Sequence, residues 1–384
     1  MPTAFSVATV TSPHQKVISF IHRPEPAEFN RLALEVFAYQ FGSVPAYREY
    51  CRSMGRTPAS VTTVEEIPMV STAAFKYADL APPGAAARPG SLTFLTSGTT
   101  VGTQRRGRHV VEYPEIYRAS ALAHLRRMVF ADGARTRMLA LHPTADRMSE
   151  SSLSTMLSWC IEEFGEGAAM CAADRDRVDL DAALAFLRKA EFDAAPVCIL
   201  ATTAAAAAMF RRMGEDGAAL ALAPGSRMMD TGGPKGQLDP LTPDEVVARA
   251  AAYLGIFPSH VINEYGMTEL CSQLYDATPL NGAGGAPADE RVKIAPGWMR
   301  PAAIDPTTFE RAPDGRAGML GFFDLANVCS VSAIVTEDLG IVEGSRVRLL
   351  GRAQAGGARG CALAVEQFNA VARADTGAAQ RGRR

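Results

Sequence analysis

A chain of 384 residues, 47% hydrophobic and 21% charged, has an ordinary globular composition and enough length for two or three lobes. A net charge of −2 and a pI near 6.3 give no electrostatic case for nucleic acid or an acidic membrane surface as partner. No apolar run reaches the ~18 residues that a membrane span needs, and Met1 to Phe20 lacks the charged start and apolar core of a signal peptide. The seven cysteines (51, 160, 171, 198, 271, 329 and 361) show no Cys-x-x-Cys pairing. That pattern suits a reducing cytoplasm and argues against a disulfide framework or structural zinc.

Residues 28–55 predict a helix, with Phe29, Leu32, Val36 and Tyr39 at helical spacing and Gly55 as the stop. A Pro- and Gly-rich stretch then leads to a short apolar strand, Leu92 to Leu95, which breaks into Thr96, Ser97, Gly98, Thr99, Thr100 and Gly102. Glycine opens backbone angles closed to other residues, and converging N–H groups with added hydroxyls make a concavity for anions. No Gly-Lys-Ser/Thr follows, so this is not a Walker loop. Alone, such a turn is more often a plain solvated loop.

The pattern then alternates. Helices are expected from Pro114 to Phe130, Ser151 to Phe164, Asp179 to Lys189, Thr202 to Met213 and Thr242 to Leu254. Strands are expected at Met138–Leu141, Val197–Leu200, Arg227–Met229 and His260–Ile262. Strands separated by helices imply an α/β fold with a mostly parallel sheet flanked by helices. Ligands in such sheets bind beyond the carboxyl ends of strands, where the 96–102, 230–236 and 263–269 loops fall. From about residue 279 short strands amid Pro and Gly suggest a small β-rich lobe, and the basic tail from Ala372 is expected to be disordered.

Four stretches carry the chemistry. Asp230-Thr-Gly-Gly-Pro-Lys-Gly236 offers a glycine pair, Gly232 and Gly233, for close approach of a flat ligand, and presents Lys235. Asn263-Glu-Tyr-Gly-Met-Thr-Glu269 sets an aromatic ring, a glycine, a hydroxyl and a carboxylate within five residues, suited to a base, a phosphate and Mg²⁺. Glu337-Asp338 ends a strand in paired acids, where Asp338 can accept ribose hydroxyls. Leu350-Gly-Arg352 adds a cation beside a glycine. Alone, the first stretch reads equally well as a plain turn and the second as a strand-end loop with a packed tyrosine, while Glu337-Asp338 is more often a surface turn.

Together and in this order, Thr-Ser-Gly-Thr-Thr, Tyr-Gly-Met-Thr-Glu, Glu-Asp-Leu-Gly and Leu-Gly-Arg resemble the adenylate-forming superfamily of acyl-CoA synthetases and luciferases. Asp-Thr-Gly-Gly-Pro-Lys-Gly, Asn263 to Gln273, Asp324-Leu-Ala-Asn327 and Arg359-Gly-Cys-Ala-Leu363 resemble more closely the acyl-protein synthetase (LuxE) family, over residues 30–368. Ile67-Pro and Phe75-Lys76 fit it too. The resemblance implies ATP and Mg²⁺ as cofactors and a carboxylic (fatty) acid as substrate. Thr96, Ser97, Thr99 and Thr100 would hold the β- and γ-phosphates, Tyr265 would pack by the adenine and Thr268 would touch the α-phosphate, with Gly98, Gly232, Gly233, Glu264 and Gly266 also among the nucleotide-binding residues. Glu269 would reach Mg²⁺, and Asp338 and Arg352 the ribose.

The resemblance further implies an adenylate-forming domain over residues 1–350, helical to about residue 80, and a vestigial C-terminal segment at 351–384 in place of a mobile domain. The lysine that larger relatives carry in that domain is missing, since the last lysine here is Lys293. Lys235 is expected to supply its charge. Cys361, in Arg-Gly-Cys-Ala-Leu, is expected to take the acyl group and pass it to a partner such as an acyl reductase. Its alternative is the buried cysteine that most free thiols are. His109 and His142 are candidates to meet a substrate carboxylate, against the commoner structural histidine. Ser151, Ser152 and Ser154 read as a helix cap and Cys271 as packing. An acid–CoA or acid–amine ligase, or a non-catalytic binder of nucleotide or acyl-adenylate, fits the same residues.

Overall fold

The computed structural model describes residues 12–96, 105–232, 241–283 and 291–352. The chain opens with α1 (His14–His22), α2 (Phe29–Ser43) and α3 (Pro45–Ser53). The single helix expected over 28–55 is thus two. Pro45 drives its predecessor out of the helical region, and Val44 is extended at φ −107° and ψ 99°. Pro45 then starts the next helix, where a missing N–H costs nothing.

Strands β1 (Val70–Ser71), β2 (Leu92–Leu95) and β3 (Arg108–Val111) follow, then α4 (Pro114–Met128) and β4 (Thr136–Leu141). Next come α5 (Ser152–Phe164), β5 (Gly165–Cys171), α6 (Leu180–Phe192), β6 (Val197–Thr202) and α7 (Thr203–Glu215). The series continues with β7 (Arg227–Thr231), α8 (Pro243–Leu254), β8 (Val261–Tyr265), β9 (Leu274–Asp276) and β10 (Lys293–Ile294). It closes with β11 (Met299–Ile304), β12 (Ala317–Asp324), β13 (Ala333–Glu343) and β14 (Arg346–Arg352). Side-chain caps start the expected helices: Ser151, Asp179 and Thr202 each accept the N–H three residues on. Thr242 and Glu245 form a reciprocal capping box on α8, which Gly255 ends in the left-handed region.

One twelve-stranded sheet organises the molecule, in the order β11-β12-β13-β14-β10-β9-β8-β7-β6-β4-β5, with β1 alongside β13. Strands β5, β4, β6, β7 and β8 run parallel. The rest of the main path is antiparallel, so the expected β-rich lobe is the far end of the same sheet, joined through β9 and β10. Strand β5 (Gly-Glu-Gly-Ala-Ala-Met-Cys) gives no strand signal, since its side chains are mostly exposed at the sheet edge. Alternation along the buried strands splits the core. Leu139, Ile199 and Met228 face α6, α7 and α8, while Met138, Cys198 and Met229 pack with α4 and α5. No helix among the described residues is long and apolar enough to cross a membrane.

Arg227, at the start of β7, is fully buried. Its guanidinium makes two bonds to the Asp132 carboxylate, at 2.9 and 2.8 Å, donates to the Val129 and Gly225 carbonyls, and lies over the Phe130 ring. Asp132→Ala leaves that cation with carbonyl partners only and is expected to lower the unfolding free energy by about 3 kcal/mol. Urea unfolding measures it, and a loss below about 1 kcal/mol would show that the carbonyls suffice.

Candidate active site

Strands β7 and β8 end side by side, with Thr231 registered against Glu264. Beyond them Gly232 takes φ 96°, closed to most side chains, and Gly266 through Glu269 turns back toward β9. From the antiparallel end, β13 brings Asp338 and β14 brings Arg352 as paired positions. The Tyr265 hydroxyl donates to Asp338 Oδ2 at 2.8 Å and Arg352 Nε donates to Asp338 Oδ1 at 3.2 Å. A cavity of about 540 Å³ collects Gly232, Glu264, Tyr265, Gly266, Glu269, Asp338 and Arg352. Seven residues singled out in the sequence thus share one chamber. Glu337 and Asp338 do not end their strand as expected: β13 continues to Glu343, and Asp338 reaches the chamber from mid-strand, paired with Arg352 at the end of β14.

Thr268 lines a second cavity of about 560 Å³, with Leu95, Tyr117, His142, Leu153, Met156 and Gln273. Glu264, Gly266 and Met267 border both chambers. Thr96 follows β2, with its hydroxyl accepting from the Gly107 N–H at 2.8 Å and its carbonyl from Arg106 Nε at 2.6 Å. Ser97, Gly98, Thr99, Thr100, Gly233, Lys235 and Cys361 lie outside the described residues, as does the C-terminal segment from 353.

Beneath the shared wall is a buried polar network that sequence reasoning missed. Lys293 Nζ donates to Asp276 Oδ1 at 2.7 Å and to the Asn263 side-chain and main-chain oxygens at 2.5 and 3.0 Å. Asn263 Nδ2 passes the chain on to Asp230 Oδ2 at 2.9 Å, which also accepts from Thr203 Oγ1 at 2.8 Å. Burial pushes Asp230 up to about 6 and Glu264 up to about 7, although Thr203 and Thr231 respectively hydrogen-bond them and Lys293 opposes both shifts.

The loop carrying Thr268 and Glu269 is braced from behind. His109 Nδ1 donates to the Thr268 carbonyl at 2.6 Å, and Nε2 faces Asn327 Oδ1 at 2.8 Å. Asn327 Nδ2 donates to the Glu269 carbonyl at 2.9 Å. His109 is 1% exposed with both ring nitrogens engaged, so it supports the loop and is not placed to meet a substrate. Burial holds its pKa below the ordinary histidine range, against those two hydrogen bonds. His142 does line the second chamber, but burial takes it down to about 4, so it is neutral near pH 7 and offers no cation to a carboxylate. The Asp324-Leu-Ala-Asn327 stretch gains its physical reason here. Asp324 accepts from the Cys271 N–H and the Ser272 hydroxyl, fixing the return of the same loop.

The first chamber offers groups of the kind a purine nucleoside needs: a tyrosine ring and a glycine backbone that could flank a base, and the carboxylate–guanidinium pair Asp338–Arg352 that could meet hydroxyls. Among the described residues no three His, Cys, Asp or Glu side chains converge on a metal position. Mg²⁺ needs no such cage, because it keeps waters and binds through one or two carboxylates plus substrate phosphates, a role one carboxylate such as Glu269 can fill.

The fold is shared with adenylate-forming enzymes. The open conformation of 2-hydroxyisobutyryl-CoA ligase, solved with 2-HIB-AMP and CoA, superposes with a TM-score of 0.61 at 15% identity, over 92% of this chain and 79% of that one. Its postadenylation state gives 0.59, over 92% and 72%. The family model for acyl-protein synthetase, LuxE, matches residues 22–369, and the chain belongs to that family. The long-chain-fatty-acid–luciferin-component ligase of Vibrio harveyi is 33% identical over 79 residues, 19% of this chain and 21% of that protein. That of Aliivibrio fischeri is 32% identical over 82 residues, 19% and 22% of the two chains. The matched stretch spans about a fifth of each of these relatives.

Glu264 gives a test of the site's electrostatics. Between the ordinary carboxyl value of 4.5 and about 7, the folded chain holds a proton that the unfolded chain has released. Stability therefore falls as pH rises through that window. Glu264→Gln keeps an acceptor for Thr231 and removes the titration. Its stability relative to the parent is expected to rise by on the order of 1 kcal/mol per pH unit across the window, read from urea unfolding at stepped pH. A pH-independent difference would mean that Glu264 is ionised in the fold.

Proposed function

We propose that this protein is an adenylate-forming ligase that activates a carboxylic acid with ATP and Mg²⁺ and carries the acyl group onward on Cys361. The observation that carries the reading is the pair of chambers meeting at Glu264, Gly266 and Met267. A nucleotide held in the first would present its α-phosphate to an acid held in the second. Family membership supports the same chemistry.

In this reading Asp338 and Arg352 hold the ribose, Tyr265 and Gly232 flank the base, and Glu269 binds Mg²⁺, which neutralises phosphate charge. Thr268, fixed through its carbonyl by His109, meets the α-phosphate. An acid oxygen attacks the α-phosphorus, the bond to the β-phosphate oxygen breaks, and pyrophosphate leaves with the electron pair. The Ser97 to Thr100 loop takes the departing phosphates and Lys235 supplies positive charge, so catalysis is positioning plus charge stabilisation. The Cys361 thiolate then attacks the acyl carbonyl carbon and AMP departs, leaving a thioester for a partner such as an acyl reductase. A cytoplasmic location keeps that thiol reduced. The second reading, direct capture of the adenylate by CoA or an amine, uses the same two chambers without Cys361.

Lys235→Ala is expected to cut pyrophosphate release by at least about 100-fold while nucleotide affinity changes far less. Unchanged release would remove Lys235 from the mechanism. Intact-protein mass spectrometry after incubation with ATP, Mg²⁺ and mixed carboxylic acids is expected to show a hydroxylamine-labile acyl adduct that Cys361→Ser lacks. AMP release that requires CoA or an amine, with no adduct, would favour the second reading. Neither adduct nor AMP would leave a binding protein.

A further inference from the structure

Three residues border both chambers, and of Glu264, Gly266 and Met267 only the first carries an ionisable group. Glu264 is 4% exposed. The Thr231 hydroxyl donates to its Oε2. Its Oε1 takes the space a side chain at position 266 would need, since a Cβ added to Gly266 would stand 2.4 Å from it. No hydrogen bond from the described residues reaches Oε1, and the atom is not sealed inside the protein. The open oxygen therefore lies at the wall the two chambers share.

A buried carboxyl stays ionised only where a cation or several donors hold its charge. Among the described residues Glu264 has neither. Lys293 on β10 acts on it without a hydrogen bond, its three protons already placed on Asp276 and Asn263. Asp230 on β7 is a second acid and disfavours its charge. The remaining titratable neighbours are the phenols of Tyr275 on β9 and Tyr117 on α4, which burial keeps neutral. Burial thus pushes the Glu264 carboxyl up to about 7. With Oε2 accepting from Thr231, the proton of the neutral form sits on Oε1.

We propose that Glu264 is a catalytic residue of the adenylation step, a neutral acid whose Oε1–H donates a hydrogen bond to the non-attacking oxygen of the substrate carboxylate. The inference rests on the second chamber being the acid site. The bond turns the other carboxylate oxygen toward the α-phosphorus in the first chamber. The proton stays on Glu264 throughout. Once ionised, Glu264 sets one carboxylate against another at the point of reaction.

The test is acid-dependent ATP–pyrophosphate exchange by the full chain with Mg²⁺, which reads adenylation without the later acyl transfer. Mixed fatty acids are tried first and the best one is used thereafter. Between about pH 6 and 9 such acids are fully ionised. Over that range kcat/KM for the acid is expected to be level at the low end and then to fall about tenfold per pH unit above the pKa of Glu264. Glu264→Leu is expected to lose about 100-fold at the low end while nucleotide affinity changes far less. Glu264→Gln still accepts from Thr231 and presents an amide N–H. It is expected to recover at least about tenfold of that loss and to abolish the alkaline fall. Should the leucine variant fail to fold, the slopes of the parent and Glu264→Gln decide, since a slope does not depend on the amount of folded protein. A parent profile that is level or rises with pH overturns the proposal, as does an equal alkaline fall in Glu264→Gln. So does a preference for amino acids over fatty acids that Glu264→Gln abolishes, which would place a substrate ammonium on an ionised Glu264. Nucleotide binding without exchange from any acid at any pH overturns the adenylation reading itself, and this inference with it.

Discussion

The structure turns on one buried cation. Lys293 on β10 lies directly across from Asp276 on β9 and reaches over it to Asn263 on β8. These three strands are the joint at which the parallel half of the sheet becomes antiparallel. A charge removed from water is tolerable only when paired and fully hydrogen-bonded, which this ammonium is, with three oxygens for its three protons. From Asn263 the bonding runs through Asp230 on β7 to Thr203 at the head of α7. The ends of β7 and β8, from which Gly232, Glu264 and Tyr265 project, are thereby locked to the half of the sheet that supplies Asp338 and Arg352.

Much of this was legible in the sequence, for identifiable reasons. The βα alternation shows because its strands are buried on both faces and its helices carry explicit caps at Ser151, Asp179, Thr202 and Thr242. The site loops show because glycine, hydroxyl and carboxylate residues cluster where strands end. Strand β5 does not show, because an exposed edge composed of Gly, Glu and Ala has neither alternation nor apolar run. Nor does the division of α2 from α3 stand out against a continuous apolar pattern, although Pro45 is its cause.

Roles that depend on partners far along the chain were harder. Tyr265 and Asp338 are each visible as local motifs, but their hydrogen bond exists only because β13 and β8 belong to one sheet. His109 shows the reverse: a lone histidine beside a strand suggests chemistry, and only the packed loop reveals that its ring is consumed in holding the Thr268 carbonyl. Lys293 is notable in the sequence merely as the final lysine, while its partners lie 17 and 30 residues earlier.

At the wall that the two chambers share, Gly266 contributes backbone alone. A Cβ there would come within 2.4 Å of Glu264 Oε1. The chambers share Glu264, Gly266 and Met267, but α5 and the turn before it (Met148, Ser151, Ser152, Leu153 and Met156) line only the second, while β13 and β14 line only the first. The two walls are therefore separable in descent. Under the proposed function, substitutions along α5 would alter one chamber while the other stays intact, so a single scaffold could diversify across acids without reinventing its energy source.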